Sequence, residues 1–178
     1  AIAPAGFVSR SFAFTLPDGP AGAGNLIVTI TTDANGEVVE GLTGTTPENN
    51  NVQAATVSAQ LRDYPDLVVG ALGVQPTSTQ TGQGATVSWR LDNTGTAAVT
   101  RAFTERVKVV NPANGKTLVD QAVTYDPNVE GGVAVSGSRN RSLDITIPDG
   151  SASVGDLTVT VTADSGNAIF EYNAANTA

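Results

Sequence analysis

The 178-residue chain contains no cysteine, no histidine and no methionine. Without cysteine it has neither a disulfide framework nor a thiolate zinc site. Without histidine it lacks the side chain that titrates near neutral pH and binds most transition metals. Nucleophile pairs of serine with histidine, or of cysteine with histidine, are therefore excluded within this chain. The sequence shows no catalytic residue, and we expect neither enzymatic activity nor a cofactor.

Basic residues are also scarce, because nine Lys and Arg stand against 17 Asp and Glu and give a net charge of −8. The nearest approach to a basic cluster is formed by Arg101, Arg106 and Lys108. An acidic field of this kind repels phosphate backbones, so we expect no nucleic-acid partner. No apolar run has the length of a membrane span. Residues 1–7 lack the basic and apolar regions of an intact signal peptide.

Apolar and polar residues alternate through most of the chain, and no segment has helical periodicity. Val, Thr and Ile dominate these segments, as is typical of half-buried strands. The pattern predicts strands at residues 11–16, 26–32, 37–39, 52–61, 67–74, 85–91, 104–110, 118–125, 142–147, 157–163 and 168–171. Asn114-Gly115 lies between two of them and predicts a β-hairpin. Short antiparallel strands at this spacing predict an all-β, immunoglobulin-like antiparallel β-sandwich of about seven strands.

The beginning of the chain is repeated near its end. Residues 1–40 align with residues 132–171 without a gap, and 16 of the aligned positions are identical. Internal similarity at a fixed spacing predicts tandem units. Residues 1–62 would be the back half, with the last strands, of one sandwich repeat. Residues 63–178 would be a near-complete second repeat without its last strand, and residues 62–65 a short linker.

Strand parity predicts which side chains of the second repeat face its core. Trp89, the only tryptophan, is flanked at period two by Val87 and Leu91, so all three should be buried. A role in stacking against carbohydrate would require an exposed Trp89 instead. The predicted single core consists of Val87, Trp89, Leu91, Val107, Val109, Ile145, Ile147, Leu157, Val159 and Val161.

One loop resembles the first half of a calcium-binding loop. Asp126, Asn128 and Glu130 place oxygen atoms at alternate positions, and a glycine follows at the sixth. Hard cations bind several carboxylate and amide oxygens around a sharp turn. The twelfth position is Gly137 instead of a bidentate glutamate, which favours a solvated acidic loop over a calcium site.

Asp33 and Asp164 occupy equivalent positions in the two repeats, each directly after a predicted strand. Aspartate at such a position usually accepts hydrogen bonds from the backbone of the following turn. We therefore predict a structural role for both. Residues 49–51 form an asparagine tract that is most simply a loop.

Several short motifs of the second repeat occur together. They are Asp66-Leu67-Val68-Val69, residues 87–97 with Trp89, and the ending that runs from Ala163-Asp164 to Glu171-Tyr172-Asn173. The first repeat has the same ending at Thr32-Asp33, Glu40 and Glu48–Asn51, with an insertion at residues 41–47. In these motifs the chain resembles the CARDB family, a group of cell-adhesion-related sandwich domains of bacterial surface proteins. In this family a final strand follows the Asn-rich ending.

The repetition and the resemblance together predict a structural repeat of a bacterial extracellular adhesin, stalk or filament. Its partners would be neighbouring repeats or copies of itself, bound through strands or end to end. The alternative is an accessory module of a surface enzyme that binds carbohydrate or calcium. Carbohydrate binding would need an exposed aromatic strip, and Tyr64, Tyr125 and Tyr172 form no evident strip.

The chain ends carry a further expectation. The predicted strand at residues 52–61 has no counterpart after Asn176. An open sheet edge exposes unpaired backbone groups, a state that proteins avoid. We therefore expect the edge to be filled by the continuation of the polypeptide, or by a strand from a neighbouring copy as in donor-strand addition. A head-to-tail contact of the second kind would build a filament.

Overall fold

A computed structural model describes residues 2–39 and 50–173, which divide into two compact units, Ala1–Arg62 (unit 1) and Asp63–Ala178 (unit 2). Unit 1 contains two strands, β1 (Gly24–Thr31) and β2 (Val52–Ala59). They form a two-stranded antiparallel sheet in which Gly24 lies opposite Ala59 and Thr31 lies opposite Val52. A 3-10 turn at Pro20–Gly22 precedes β1.

Unit 2 is an antiparallel β-sandwich of two three-stranded sheets, as the sequence predicts. Its strands are β3 (Leu67–Gln75), β4 (Gly84–Asn93), β5 (Phe103–Asn111), β6 (Lys116–Tyr125), β7 (Ser138–Thr146) and β8 (Thr158–Thr162). The sheet orders are β3-β4-β7 and β6-β5-β8. The edge strands β3 and β8 approach each other across the two sheets. A helical turn, α1 (Pro127–Glu130), and a 3-10 turn at Ser151–Ser153 complete the unit.

The predicted hairpin is the connection between β5 and β6. These strands pair antiparallel, with Asn111 opposite Lys116 at the turn. Gly115 has a φ of 69°, a conformation that glycine adopts without a steric penalty. The Asn114 side chain accepts a hydrogen bond from the Lys116 backbone at 2.9 Å. The hairpin prediction is therefore confirmed, and its turn depends on the two residues that signalled it.

Two clusters of buried side chains fill the sandwich, where the sequence predicted one. The central cluster contains Ala85, Val87, Trp89, Val107, Val109, Ile145, Ile147 and Val161. The second cluster contains Leu67, Leu91, Val99, Phe103, Tyr125 and Val133. Trp89 is 2% exposed, which confirms its predicted burial. Leu91 is also buried, but it belongs to the second cluster, because the ten-residue strand β4 runs past the central one.

Three of the predicted strands were wrong. Residues 11–16 belong to no sheet, whereas the equivalent residues 142–147 are mostly in β7, which pairs with β4. Unit 1 has no strand equivalent to β4 within its described residues. Residues 37–39 and 168–171 are not strands because the aspartate before each segment accepts its backbone N–H groups. Such local bonds compete with a sheet ladder. Glu40, residues 41–47, Glu48 and Asn49 lie outside the described residues.

Tyr64 and Pro65, the last two residues of the predicted linker, are bound within unit 2 and do not act as a linker. The Tyr64 carbonyl accepts hydrogen bonds from the backbone of Thr96 at 2.8 Å and of Ala97 at 3.0 Å. The Pro65 carbonyl accepts one from the Tyr172 backbone at 3.2 Å. Tyr64 itself is buried.

The equivalent segments of the two units share backbone conformation but differ in burial. The φ angles of Asp33 and Asp164 are 47° and 40°. Phe14 is 56% exposed, whereas its equivalent Ile145 is 4% exposed. Unit 1 therefore has the turns of unit 2, while its apolar side chains remain in contact with solvent.

We expect the Leu91→Ala substitution to reduce the free energy of unfolding of unit 2 by about 2–5 kcal/mol, because it leaves a cavity in the second cluster. Leu72→Ala provides the matched control, since Leu72 is exposed in β3. That variant should change stability by less than about 0.5 kcal/mol. Denaturant unfolding followed by the fluorescence of Trp89 measures both. Equal losses would contradict the assigned burial.

Candidate functional site

The most polar buried site of unit 2 centres on Glu105. This residue lies on β5 between the inward-facing Phe103 and Val107, and its side chain is fully buried. Its carboxylate accepts a hydrogen bond from Trp89 Nε1 at 2.7 Å and another from Arg141 Nε at 2.8 Å. Trp89 and Arg141 lie opposite each other on β4 and β7, in the other sheet. One carboxylate therefore connects the two sheets and separates the two apolar clusters.

Arg141 extends this network toward the surface. Its guanidinium also forms an ion pair with Glu130 and lies 5.0 Å from the centroid of the Tyr125 ring. The Tyr125 hydroxyl donates a hydrogen bond to the Gly131 carbonyl at 2.5 Å. These contacts attach the loop at residues 126–131 to the sandwich. Glu105 and Glu130 both bind Arg141, so the role of these side chains is structural.

The three calcium candidates form these same loop contacts. Asp126 caps α1, and its carboxylate accepts hydrogen bonds from the backbone N–H of Asn128 at 2.9 Å and from the Asn128 side chain at 3.0 Å. Glu130 is paired with Arg141. Across residues 2–39 and 50–173, no three acidic side chains are grouped so that they could hold a metal ion. Calcium binding by Asp126, Asn128 and Glu130 stays an untested alternative to the solvated loop that the sequence favours.

Asn93 organises the end of the sandwich at which unit 2 begins. Its side-chain oxygen accepts hydrogen bonds from the Asp66 and Gly95 backbones, both at 3.1 Å. Its side-chain nitrogen donates to the carbonyl of Ala97 at 2.8 Å. At Gly95 a Cβ atom would lie 2.4 Å from the Tyr64 carbonyl oxygen, so only glycine fits. The Asn93-Thr94-Gly95 segment therefore fastens residues 64–66 to β4.

Asp33 and Asp164 have the backbone-binding role that the sequence predicts. The Asp164 carboxylate accepts hydrogen bonds from Ala168 N at 2.9 Å and from Ile169 N at 2.8 Å. In unit 1, Asp33 binds the backbone of the equivalent turn in the same way. Both prediction and structure make these aspartates structural groups.

Glu171 lies in an acidic environment near the same end of unit 2. Burial, together with the nearby charge of Asp164, raises the pKa of its carboxyl group to about 7. The Leu67 backbone opposes this shift, while Asp66 adds to it. One of its carboxyl oxygens is buried without a hydrogen-bond partner. The protonated form of Glu171 therefore suits the folded chain better than the ionised form.

The tyrosines of unit 2 form no exposed platform for a sugar ring. The Tyr64 ring lies 4.9 Å from the Phe170 ring and 6.2 Å from the Tyr172 ring, measured between centroids. Tyr125 is buried and stacks on Phe103 at 5.1 Å. These aromatic side chains pack against one another and stabilise the sandwich.

A cleft of about 690 Å³ opens between the two sheets on the side of β3 and β8. Its apolar walls include Val74 of β3, Ile147, Leu157 and Val159 of β8. The Ser153 hydroxyl also lines it and is buried without a hydrogen-bond partner. Polar residues such as Gln80 and Asp156 line the cleft beside this apolar wall.

Glu105 and Arg141 are the functional residues that the sequence reasoning missed. The alternation of β5 places Glu105 on the same face as Val107 and Val109, so parity alone could have identified a buried carboxylate. Arg141 has a signal of its own, because it is identical to Arg10 in the internal repeat.

No helix of the described residues is long and apolar enough to cross a membrane.

We expect Glu105→Leu to reduce the free energy of unfolding by about 3–5 kcal/mol, because it removes one partner of a buried ion pair. Asp120→Ala is the matched control, since it breaks the exposed Arg106–Asp120 pair on the same sheet. That loss should not exceed about 1 kcal/mol. Denaturant titration of both variants measures the difference. A small loss for Glu105→Leu would show that the network is dispensable.

Glu171 should make stability fall as pH rises. Its pKa is about 7 in the folded chain and 4.5 as an ordinary glutamate, so the folded state binds more protons between these values. The stabilisation by protonated Glu171 is fully present below pH 4.5 and is lost as the pH rises through about 7. Glu171→Gln should remove this slope between pH 5 and 8, measured by denaturant unfolding. Asp120→Asn is the control. Arg106 lowers the pKa of Asp120, so this substitution should leave the slope between pH 5 and 8 unchanged.

The chain is similar to a known domain family and to a solved domain. The CARDB domain of a protein from Pyrococcus furiosus, crystallised in complex with di-metal ions, is similar to 64% of this chain and 81% of its own. The TM-score is 0.41 and the sequence identity is 19%. No curated protein matches the chain. The model of CARDB, a family of non-catalytic, cell-adhesion-related domains, matches residues 64–178. The chain therefore belongs to the CARDB family.

Proposed function

We propose that the chain is a structural repeat of a bacterial extracellular adhesin, stalk or filament. Membership of a cell-adhesion-related family across residues 64–178 carries this proposal. In such a protein, tandem domains supply reach from the cell surface, and their exposed faces mediate adhesion or assembly. The domain contributes shape and stability, with no chemical step.

The internal similarity of the two units supports a tandem arrangement. Residues 1–40 repeat residues 132–171 with 16 identities, and the equivalent turns share backbone conformation. Arrays of similar domains multiply length without new folds. The partners of the chain would be neighbouring repeats or further copies of itself, bound by strand or end-to-end contacts.

Burial in unit 1 supports contacts with such partners. Ile2, Phe14 and Ile30 are 65%, 56% and 65% exposed. Their equivalents in unit 2 are Val133, Ile145 and Val161, which are 0%, 4% and 9% exposed. Apolar side chains that are exposed in unit 1 and buried in unit 2 support a partner that covers them.

The alternative is an accessory module of a surface enzyme that binds carbohydrate or calcium. Trp89 and Tyr64 are buried, and Asp126 and Glu130 already have partners within the chain. These contacts favour the structural repeat. A melting temperature that calcium raises markedly, and that a chelator lowers again, would favour the accessory module.

Surface display is the property that tests the proposal. Antibodies raised against the purified chain should label intact cells of the bacterium that encodes it, and external protease should remove the label. An antibody against a cytoplasmic protein serves as control, and it should label only permeabilised cells. Labelling of this chain that requires permeabilisation would overturn the extracellular role.

A further inference from the structure

We propose that the outer edge of β8 in unit 2 accepts one antiparallel strand, and that β2 (Val52–Ala59) of a second copy of this chain occupies it. The proposal deepens the proposed function, on which it rests, because it identifies how one copy binds the next. Three features of the described residues carry it. They are an unprotected edge, a pairing template in unit 1, and the cleft beside β8.

The four edge strands of unit 2 differ in how they are protected. Irregular pairing interrupts β3 between Gly70 and Gly73. Charged residues occur along the other two, such as Asp120 on β6 and Arg139 on β7. Natural sheets use such bulges and charges to prevent pairing with other chains. β8, with the sequence Thr-Val-Thr-Val-Thr, has neither, and among the described residues only β5 pairs with it.

Unit 1 supplies the template for pairing at this edge. β1 is equivalent to residues 155–162, and Leu26, Val28, Thr29 and Thr31 are identical in the two copies. β1 pairs along its full length with β2, with Thr29 opposite Ala54. Transferred by 131 positions, this register places Thr160 of one copy opposite Ala54 of another.

The direction of the backbone groups agrees with this transfer. Thr32 N donates to Asn51 O at 2.8 Å, so alternate residues of β1, including Val28, direct their backbone groups toward β2. The equivalent residue in β8 is Val159. On the opposite side, the Thr104 carbonyl of β5 points toward β8, where it accepts a bond from Ser165 N. Arg106 has the same orientation as Thr104 and lies opposite Thr162, so Thr162, Thr160 and Thr158 are the residues of β8 that bind β5. The backbone groups of Val159 and Val161 therefore point to the open edge.

The cleft beside β8 fits the side chains that β2 would bring. In the transferred register, Val57 lies opposite Leu157 and Ala55 lies opposite Val159. Both Leu157 and Val159 line the cleft. Val57 and Ala55 share the inward face of the added strand, because residues opposite each other in a sheet project to the same side. A strand in this position would cover the open side of the central cluster.

The occupant is assigned to β2 because β2 is uncharged and little buried in unit 1. All of its residues are exposed except Ala59, which is partly buried. An isolated two-stranded sheet is marginally stable in water. Exchange from β1 to β8 replaces one antiparallel ladder by another and adds apolar burial against the sandwich core. The balance therefore favours pairing with unit 2 of another copy.

The 178-residue chain contains no cysteine, so it allows a direct test by disulfide cross-linking. In Thr160→Cys/Ala54→Cys, oxidation should link separate chains, because the two positions form a non-hydrogen-bonded pair at a distance suited to a disulfide. The matched control is Thr160→Cys/Ser58→Cys, whose second cysteine is on the same face of β2, four residues out of register. We expect about tenfold more disulfide-linked dimer and higher oligomer in the first variant.

Amide exchange provides a second readout on the unmodified chain. Raising the protein concentration should slow exchange at Val159 and Val161 by about tenfold, while the amides of β8 that bind β5 stay protected at every concentration. Equal cross-linking of the two variants, monomeric products only, or exchange at Val159 and Val161 that is independent of concentration would overturn the proposal. Surface labelling that succeeds while these tests fail would leave the extracellular role intact and reject only the β8 acceptor site.

Discussion

Glu105 lies between two β-sheets, where a carboxylate without partners would cost several kcal/mol. Trp89 and Arg141 on the opposite sheet supply the two donors that stabilise it. Because both donors and the acceptor must be in register, this bond fixes how the sheets lie on each other. Apolar contacts alone are not directional, so they stabilise the sandwich without choosing one alignment.

Around this connection, the polar side chains of unit 2 bind its irregular segments. Asn93 holds residues 64–66, Asp164 holds the turn after β8, and Arg141 holds the loop that contains Glu130. Each satisfies backbone or charged groups that would otherwise be buried without partners. The acidic residues that a search for metal sites would select are therefore used to build the domain. These contacts support the proposed role of the domain as a structural repeat.

The two units show how context decides the state of similar sequences. Ile30 and Val161 occupy equivalent positions, but only Val161 has a second sheet above it. The equivalent sequences of the two units therefore form the same turns, but their apolar side chains are buried to different degrees. This difference supports the proposed assembly through strand edges, since a unit whose apolar face is open gains stability when a partner covers it.

The sequence by itself determined the all-β class, the hairpin at Asn114-Gly115, the burial of Trp89 and the backbone role of Asp33 and Asp164. Each of these features depends on neighbouring residues, through the alternation of apolar and polar residues or through turn-forming residue types. Each can therefore be predicted from a short stretch of sequence. Only the tertiary structure decided that Glu105 meets Arg141, that Leu91 belongs to a second cluster, and that residues 11–16 form no strand. Strand pairing and buried ion pairs join residues distant in the chain, so their formation depends on which partner is present in space.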